Sequence, residues 1–399
     1  MLLAADQNAG WFLENAWLIP LIPSIAFFLI LIVGKRLPRG GSELGIGSMV
    51  AALVIAAGAT YQWIDRVNSS HGEEVEPVIR DILWWRSGPF EFRLGEHIDG
   101  LAIALLLLVA FISTLVQIYS TEYVAGDRRY THFFAAMTLF SAGMLAMVLA
   151  PNMVQLILGW EIMGLCSFML IGHWWEEEAN SRAALKAFFT VRVGDMGLLV
   201  GTAMLLGVFG TLDIAAINEA AAEGHFDSKN MLMWTAVALF IACIGKSGQF
   251  PLHTWLPDAM AGPTPVSSLL HSSTMVVAGV FLVARLYPVF HVGLEVLIPS
   301  HDIQVTRDQH DKHEHEDLYV AIRDAFDALE RRIKAVAHKA SFERFQTRIH
   351  RQLPLLTIFF RILTHFKCRN KAFLSGLRII ERHAQLLQRF LLDAGYVRA

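Results

Sequence analysis

Cysteine is scarce in this chain of 399 residues: Cys166, Cys243 and Cys368 are the three present, far apart and with no C-x-x-C pair. Iron–sulfur clusters and zinc therefore have no ligand set in the sequence. Charge is scarce as well. Asp, Glu, Lys and Arg make up 17% of the chain, whereas an ordinary soluble protein carries about 25%. The net charge of −3 makes no electrostatic case for nucleic acid. No glycine-rich phosphate fingerprint follows a strand, so a nucleotide site is unsupported. Neither Lys nor Arg precedes Lys35, and Asp6 and Glu14 lie before it; a cleavable signal peptide needs a basic start.

What the chain has is apolar length: 54% hydrophobic residues and a mean hydropathy of +0.45. Apolar runs lie near 17–34, 45–64, 100–120, 132–150, 151–172, 184–209, 231–250 and 265–289. Each approaches the roughly 20 residues that a bilayer requires, which predicts an all-α polytopic membrane protein with about eight spans. Pro151 leaves only a tight turn between the fourth and fifth runs, so those two should pack as an antiparallel pair. Between 80 and 98, aromatic and polar residues alternate around Ser-Gly-Pro, which suggests an external hairpin. Basic clusters occupy GKRLPRGG, GDRRY and SRAALK, while the alternate loops are acidic or neutral. The positive-inside rule then places the N-terminus outside the cytoplasmic membrane.

The chain is organised around Ile241 to Val283, where Lys246, His253, Asp258 and His271 sit among Pro251, Pro257, Pro263 and Pro265 between two apolar runs. A lysine inside an apolar run must face packed protein, water or a partner. Prolines free backbone carbonyls, which survive at membrane depth only when buried in protein or lining a cavity. A break in the seventh helix near Pro251 to Pro257 is expected. The competing reading is a loop between two spans with incidental polar residues.

Glu161 lies near the middle of the fifth run, and Lys246 is its natural partner, with a structural salt bridge as the competing reading of the same contact. On the sixth run Arg192 and Asp195 are three residues apart and can pair locally, with Asp195 either a structural partner or a relay member. Lys186 lies near the positive end, where it can simply snorkel. His253 and His271 could pass protons near neutral pH, or serve as packing hydrogen bonds. Asp258 could cap the helix after the break. His173, Trp174, Trp175 and Glu176 to Glu178 read as an interface belt with solvated charge. His301, His310, His313 and His315 have no finger or helical ligand spacing, which argues against a metal site.

The segment GKSGQFPLHTWLPDAMAGPTPVSSLLHSSTMVVAGVFLVAR resembles the antiporter-like subunit L family of respiratory complex I (NADH:quinone oxidoreductase), over about residues 1–290. The resemblance implies the first inverted repeat of the antiporter-like proton-channel fold. It further implies a proton path in which Glu161 and Lys246 form the key pair, Lys186 and Asp195 act as gatekeepers, and His253 and His271 extend the path. It implies membership of a proton-translocating oxidoreductase with no redox chemistry in this chain: NADH, FMN, iron–sulfur clusters and quinone would sit in partner subunits. The expected partners are the lipid bilayer and the other membrane subunits. Multi-component sodium/proton antiporters and membrane-bound hydrogenases share the motif and stand as alternatives. The family's second repeat and lateral helix are missing, so a truncated or fused reading frame is expected.

After Phe290 the pattern changes. VGLEVLIP and DIQVTRD alternate at period two and predict short strands, and spacings of three and four from Tyr319 to Val336 predict an amphipathic helix at about 316–339. SHDIQVTRD through EDLYVAIRDAFDALERRI resembles the end of the ribosome hibernation factor family. Residues 291–340 are thus expected as a small strand–helix segment and 341–399 as a basic tail, helical in patches. This raises a different class of alternative, a membrane-tethered ribosome-binding regulator.

Overall fold

Apolar length sets the architecture. In the computed structural model the described residues are 10–70, 75–87, 90–226 and 228–295. The expectations for DIQVTRD, the helix at 316–339, the four histidines from His301 to His315, Cys368 and residues 341–399 lie outside them. Among the described residues, eight helical segments are long and apolar enough to cross a membrane. A short α1 (Trp11–Glu14) leads into α2 (Leu18–Val33) and α3 (Ser42–Ser69). A hairpin of β1 (Val78–Ser87) and β2 (Phe90–Ile98) follows, then α4 (Gly100–Tyr123), α5 (Tyr130–Val148), α6 (Met153–Ile171) and α7 (Glu178–Phe209). Next come α8 (Ile214–Glu223), α9 (Lys229–Lys246), α10 (Trp255–Asp258), α11 (Thr264–Ser272), α12 (Met275–Arg285) and α13 (Tyr287–Glu295).

The centre of the bundle is α5, with 78% of its apolar window buried, against 28% for the span Leu18–Arg36. The outward faces of α2 and α4 present Ile25, Phe28, Ile32, Phe111, Leu115 and Ile118, as lipid-facing helices do. Without a hydrophobic drive between helices in lipid, close packing depends on small residues. The α7–α9 contact shows this. A Cβ built on Gly197 would meet the Ala238 carbonyl oxygen at 2.5 Å, and one on Gly194 would lie 2.9 Å from Gly245 Cα. These absent side chains bring Asp195 on α7 towards the end of α9.

Both expected pairings around the hairpin are present. Helices α5 and α6 pack so closely that a Cβ on Gly159 would lie 2.6 Å from the Gly143 oxygen. The two strands pair antiparallel, with Arg80 opposite Glu96. Side-chain amides fasten β2 to the α5–α6 turn: Gln155 Oε1 accepts from Gly95 N and its Nε2 donates to Gly95 O, both at 2.9 Å. Asn152 Nδ2 donates to Arg93 O at 2.7 Å.

Three features depart from the sequence expectation. The acidic loop after α7 contains α8, started by the Asp213 carboxylate accepting from Ala216 N at 3.0 Å and anchored by buried Ile214 and Ile217. The eighth span is two helices, α11 and α12, separated at Ser273 and Thr274 with no proline in the break. Finally, Val292 to Glu295, expected as the start of a strand, is helical in α13. Packing decides this: Val289 and Phe290 are buried, and a Cβ on Gly293 would come within 2.8 Å of Ala236 Cβ on α9. Tertiary contact outweighs a period-two pattern of four or five residues.

Two tests follow from this packing. Gly197→Ala should lower the unfolding temperature in detergent, since overpacking costs about 1–3 kcal/mol. Gly207→Ala, whose Cβ would meet only the flexible tip of Met231 at 3.4 Å, should not. Equal effects would contradict the close-approach account. The second concerns Glu96, 2% exposed, whose carboxyl is pushed up to about 7 by burial, against the opposing pull of Arg80 and the Trp17 backbone N–H. A carboxyl raised in the folded state favours folding below its unfolded value and loses that contribution as pH rises through about 7. Glu96→Gln should therefore gain stability relative to wild type between about pH 4.5 and 7, reaching roughly 2–3 kcal/mol. A difference that does not change with pH would refute the assignment.

Candidate functional site

The site is built where α9 stops. Lys246 is the last helical residue, and Gly248 follows in the left-handed conformation (φ 59°). Gln249 N bonds back to Ile244 O at 3.0 Å and Gly248 N to Gly245 O at 3.4 Å, a glycine-terminated helix end that satisfies otherwise orphaned carbonyls. The Gly245 oxygen also accepts from the indole Nε1 of buried Trp255 at 2.9 Å. A helix C-terminus carries partial negative charge, which favours a cation in its last turn. Lys246 sits there, 0% exposed.

Its ammonium nitrogen donates to the Trp160 carbonyl at 3.2 Å and lies 5.3 Å from the centroid of the Trp160 ring. Gly164 makes the room: a Cβ there would stand 3.1 Å from Nζ. Asp195 and Glu161 are the two acids whose charge reaches Lys246. Asp195 is 1% exposed. Its Oδ1 accepts from Trp160 Nε1 at 2.6 Å; its Oδ2 lies 3.5 Å from Arg192 Nη1 and is buried with no hydrogen bond. Arg192 Nη1 also binds Glu161 Oε2, while its guanidinium covers the Phe188 ring at 4.9 Å.

The structure thus brings Glu161, Lys246 and Asp195 into one cluster, but rearranges the expected pair. Glu161 is ion-paired with Arg192, and the hydrogen bond from Lys246 goes to the Trp160 backbone. Arg192 is the physical reason. Its guanidinium reaches both carboxylates from α7, and the expected local pair with Asp195 is one half of that bridge. Trp160 and Trp255 were missed. The signal available was an indole adjoining a charged residue at membrane depth, where its N–H needs a partner.

The remaining candidates lie around this cluster. Lys186 Nζ contacts Asp258 Oδ2 at 2.7 Å, with both side chains partly exposed. Asp258 is therefore an ion-pair partner, and its side chain makes no helix-capping hydrogen bond. His253 is exposed, its ring against Phe250 at 5.8 Å. His271 is half-buried on α11, stacked on Trp255 at 6.3 Å, and its Nε2 is buried without a hydrogen bond. Trp255 thereby touches both the end of α9 and His271. Just past α9, Ser247 Oγ donates to Val276 O on α12 at 2.8 Å, and across the α11–α12 break Thr274 Oγ1 donates to Leu269 O at 2.6 Å.

Polar clusters also hold the two ends of the bundle. Arg285, ending α12, donates to both oxygens of Asp99 at 2.7 and 3.2 Å, and His97 lies nearby, 3.9 Å from Asp99. At the other end the segment expected as a solvated belt divides: Trp175 and Glu176 to Glu178 are exposed as expected, while His173 and Trp174 fold into a clasp. Buried His173 lies 3.2 Å from Asp127, Trp174 Nε1 donates to Asp127 at 2.9 Å, and Arg129 binds both the His173 carbonyl and Glu176. Burial lowers the His173 imidazole below its ordinary value. Among the described residues, no three or more His, Cys, Asp and Glu side chains are gathered to hold a metal ion.

Comparison with known proteins bears on the fold and the kind of protein. Residues 150–299 match the family described as NADH:quinone oxidoreductase/Mrp antiporter, TM. Residues 84–134 match NADH-ubiquinone oxidoreductase (complex I), chain 5 N-terminus. Among curated relatives, NAD(P)H-quinone oxidoreductase chain 5 of Synechocystis sp. is 39% identical over 291 residues, 69% of this chain and 41% of the relative. F(420)H(2) dehydrogenase subunit L of Methanosarcina mazei is 39% identical over 296 residues, 69% of this chain and 42% of the relative. NADH-quinone oxidoreductase subunit L of Escherichia coli is 38% identical over 278 residues, 69% and 44% respectively. The chain therefore spans less than half the length of these relatives. Among solved structures, a chain of the Mrp complex from Dietzia sp. DQ12-45-1b superposes with TM-score 0.57 at 28% identity, covering 70% of this chain and 29% of that one. A chain of the archaeal membrane-bound sulfane sulfur reductase shares the fold at TM-score 0.58, covering 71% and 55%, with 21% identity. Residues 84–134 and 150–299 are thus similar to membrane subunits of NADH:quinone oxidoreductases and Mrp antiporters.

Proposed function

We propose that the chain is a proton-translocating membrane subunit of an NADH:quinone oxidoreductase-type complex, with Lys246 as its central proton carrier. The observation that carries this reading is a fully buried lysine at a helix end, with Asp195, Glu161 and Arg192 as its charged surroundings. An amine removed from water is poised between its two protonation states by the neighbouring charges alone. Arg192 holds a permanent charge between Glu161 and Asp195, so movement of that bridge changes the field at Lys246. The half-exposed Lys186–Asp258 pair lies at the end of α7 nearest the basic loops and suits a gating role. His271, with Nε2 unbonded, is the group placed to receive a proton beyond the break through intervening water.

Redox chemistry is assigned to partner subunits, which would hold NADH, FMN, iron–sulfur clusters and quinone; other membrane subunits and lipid are the direct partners. The likeness to the Mrp complex supports a second reading, a subunit of a multi-component cation/proton antiporter, in which the same cluster would exchange protons against sodium. Lys35, Arg36 and Arg39 lie between α2 and α3, and Arg128 and Arg129 between α4 and α5, at the same end of the bundle. The positive-inside rule makes that end cytoplasmic and the hairpin end external.

Two measurements test these readings. In a host complex containing the chain, Lys246→Met should lower proton pumping about tenfold or more, while substrate oxidation at the redox subunits is reduced less. Unchanged pumping would make the cluster structural. For topology, single cysteines at Arg128 and Glu223, in a background with Cys166, Cys243 and Cys368 replaced by serine, should react with impermeant thiol reagent from opposite sides. Arg128→Cys should be labelled only after the cytoplasmic face is opened; the reverse pattern would invert the orientation.

A further inference from the structure

Trp160 touches both the buried lysine and the buried carboxylate, through three different atoms or groups. Its indole N–H donates to Asp195 Oδ1 at 2.6 Å, its backbone carbonyl accepts from Lys246 Nζ at 3.2 Å, and its ring face lies 5.3 Å from the same nitrogen. All three residues are at most 1% exposed. The carbonyl is reachable because of Gly164. Side chains on a helix tilt towards its N-terminus, so the residue four positions on covers a given carbonyl. Here that residue has no side chain, and a Cβ in its place would stand 3.1 Å from Nζ. Glu161, one residue further along α6, is instead held by Arg192.

We propose that Trp160 is the positioning residue that couples the protonation of Lys246 to Asp195. This rests on the proton-carrier reading above. An indole N–H does not titrate, so it holds Asp195 Oδ1 in every state of the site. That leaves Oδ2, which has no hydrogen bond and lies 3.5 Å from Arg192 Nη1, as the oxygen to take a proton. The exchange is balanced through a bridging water: an N–H bond of the Lys246 ammonium breaks as the water takes that proton, the water gives a proton up as an O–H bond forms on Asp195 Oδ2, and a neutral amine and a neutral acid result. The amine still donates to the Trp160 carbonyl, so the geometry survives both states.

Infrared difference spectra of the full-length chain in nanodiscs, titrated with acid and base, test the coupling without requiring transport. Asp195→Asn identifies the protonated-carboxyl band that belongs to Asp195. Trp160→Phe keeps the ring and the carbonyl but removes the indole N–H, and should move the midpoint of that band by about one pH unit or more. Gly164→Ala pushes Nζ off the carbonyl without touching the indole, and should also move it. Glu161→Gln should move it less than either. A band unmoved in both Trp160→Phe and Gly164→Ala overturns the proposal, as does a larger movement in Glu161→Gln. The two readings fail separately. An unmoved band with pumping abolished in Lys246→Met removes the positioning role alone. A moved band with normal pumping in Lys246→Met removes the proton-carrier reading and leaves Trp160 as a positioner of a structural pair.

Discussion

A positive charge kept where water is excluded is the constraint on which the rest of this structure depends. An ammonium in an apolar interior must be compensated by dipoles and opposite charge, or it loses its proton. The chain supplies that compensation from four places. The end of α9 contributes the negative pole of a helix, α6 a backbone carbonyl and an aromatic face, and α7 a buried carboxylate. Arg192 and Glu161 form the outer layer. None of these groups would reach Lys246 if the helices stood at ordinary distances. Gly164 opens the carbonyl of α6, while Gly194, Gly197 and Gly245 let α7 and α9 touch along their backbones.

The same constraint explains why the helix stops where it does. Continuing α9 through Pro251 would leave carbonyls without donors in the membrane. Instead Gly248 turns the chain, and the Trp255 indole takes the Gly245 oxygen. Trp255 then stacks on His271, so one buried side chain ties the lysine-bearing helix end to the second break. At the two ends of the bundle, the Arg285–Asp99 pair and the His173–Asp127–Arg129 clasp fix the helix termini. The buried charged groups are therefore concentrated at the two ends and in one interior cluster.

Spans and the first break were legible in the sequence because they depend on local quantities: run length, proline and turn residues. Lys246, Glu161 and Asp195 could be picked out because charge at membrane depth is rare whatever the fold. Their pairing could not. Whether Arg192 lies between Glu161 and Lys246 depends on the rotation of α7 against α6, which glycine contacts set and periodicity does not encode. The second break, at Ser273 and Thr274, has no proline to announce it; Thr274 Oγ1 bonds across it to Leu269 O. Val292 to Glu295 alternated like a strand and became helical because α9 offered a surface for Phe290 and Gly293. The tryptophans escaped notice because an indole serves equally as apolar bulk or as a donor, and only its neighbours decide which.

The central claim is that Lys246 titrates inside the folded chain. Nitrogen-15 magnetic resonance of the lysine side chains in nanodiscs measures this directly, with the Lys246 signal identified by its loss in Lys246→Arg. The account predicts that this signal passes reversibly between ammonium and amine within the pH range in which the chain stays folded, and that the transition is displaced in Asp195→Asn. A signal that remains ammonium throughout that range, unaffected by Asp195→Asn, would contradict it and make the buried cluster a fixed salt bridge.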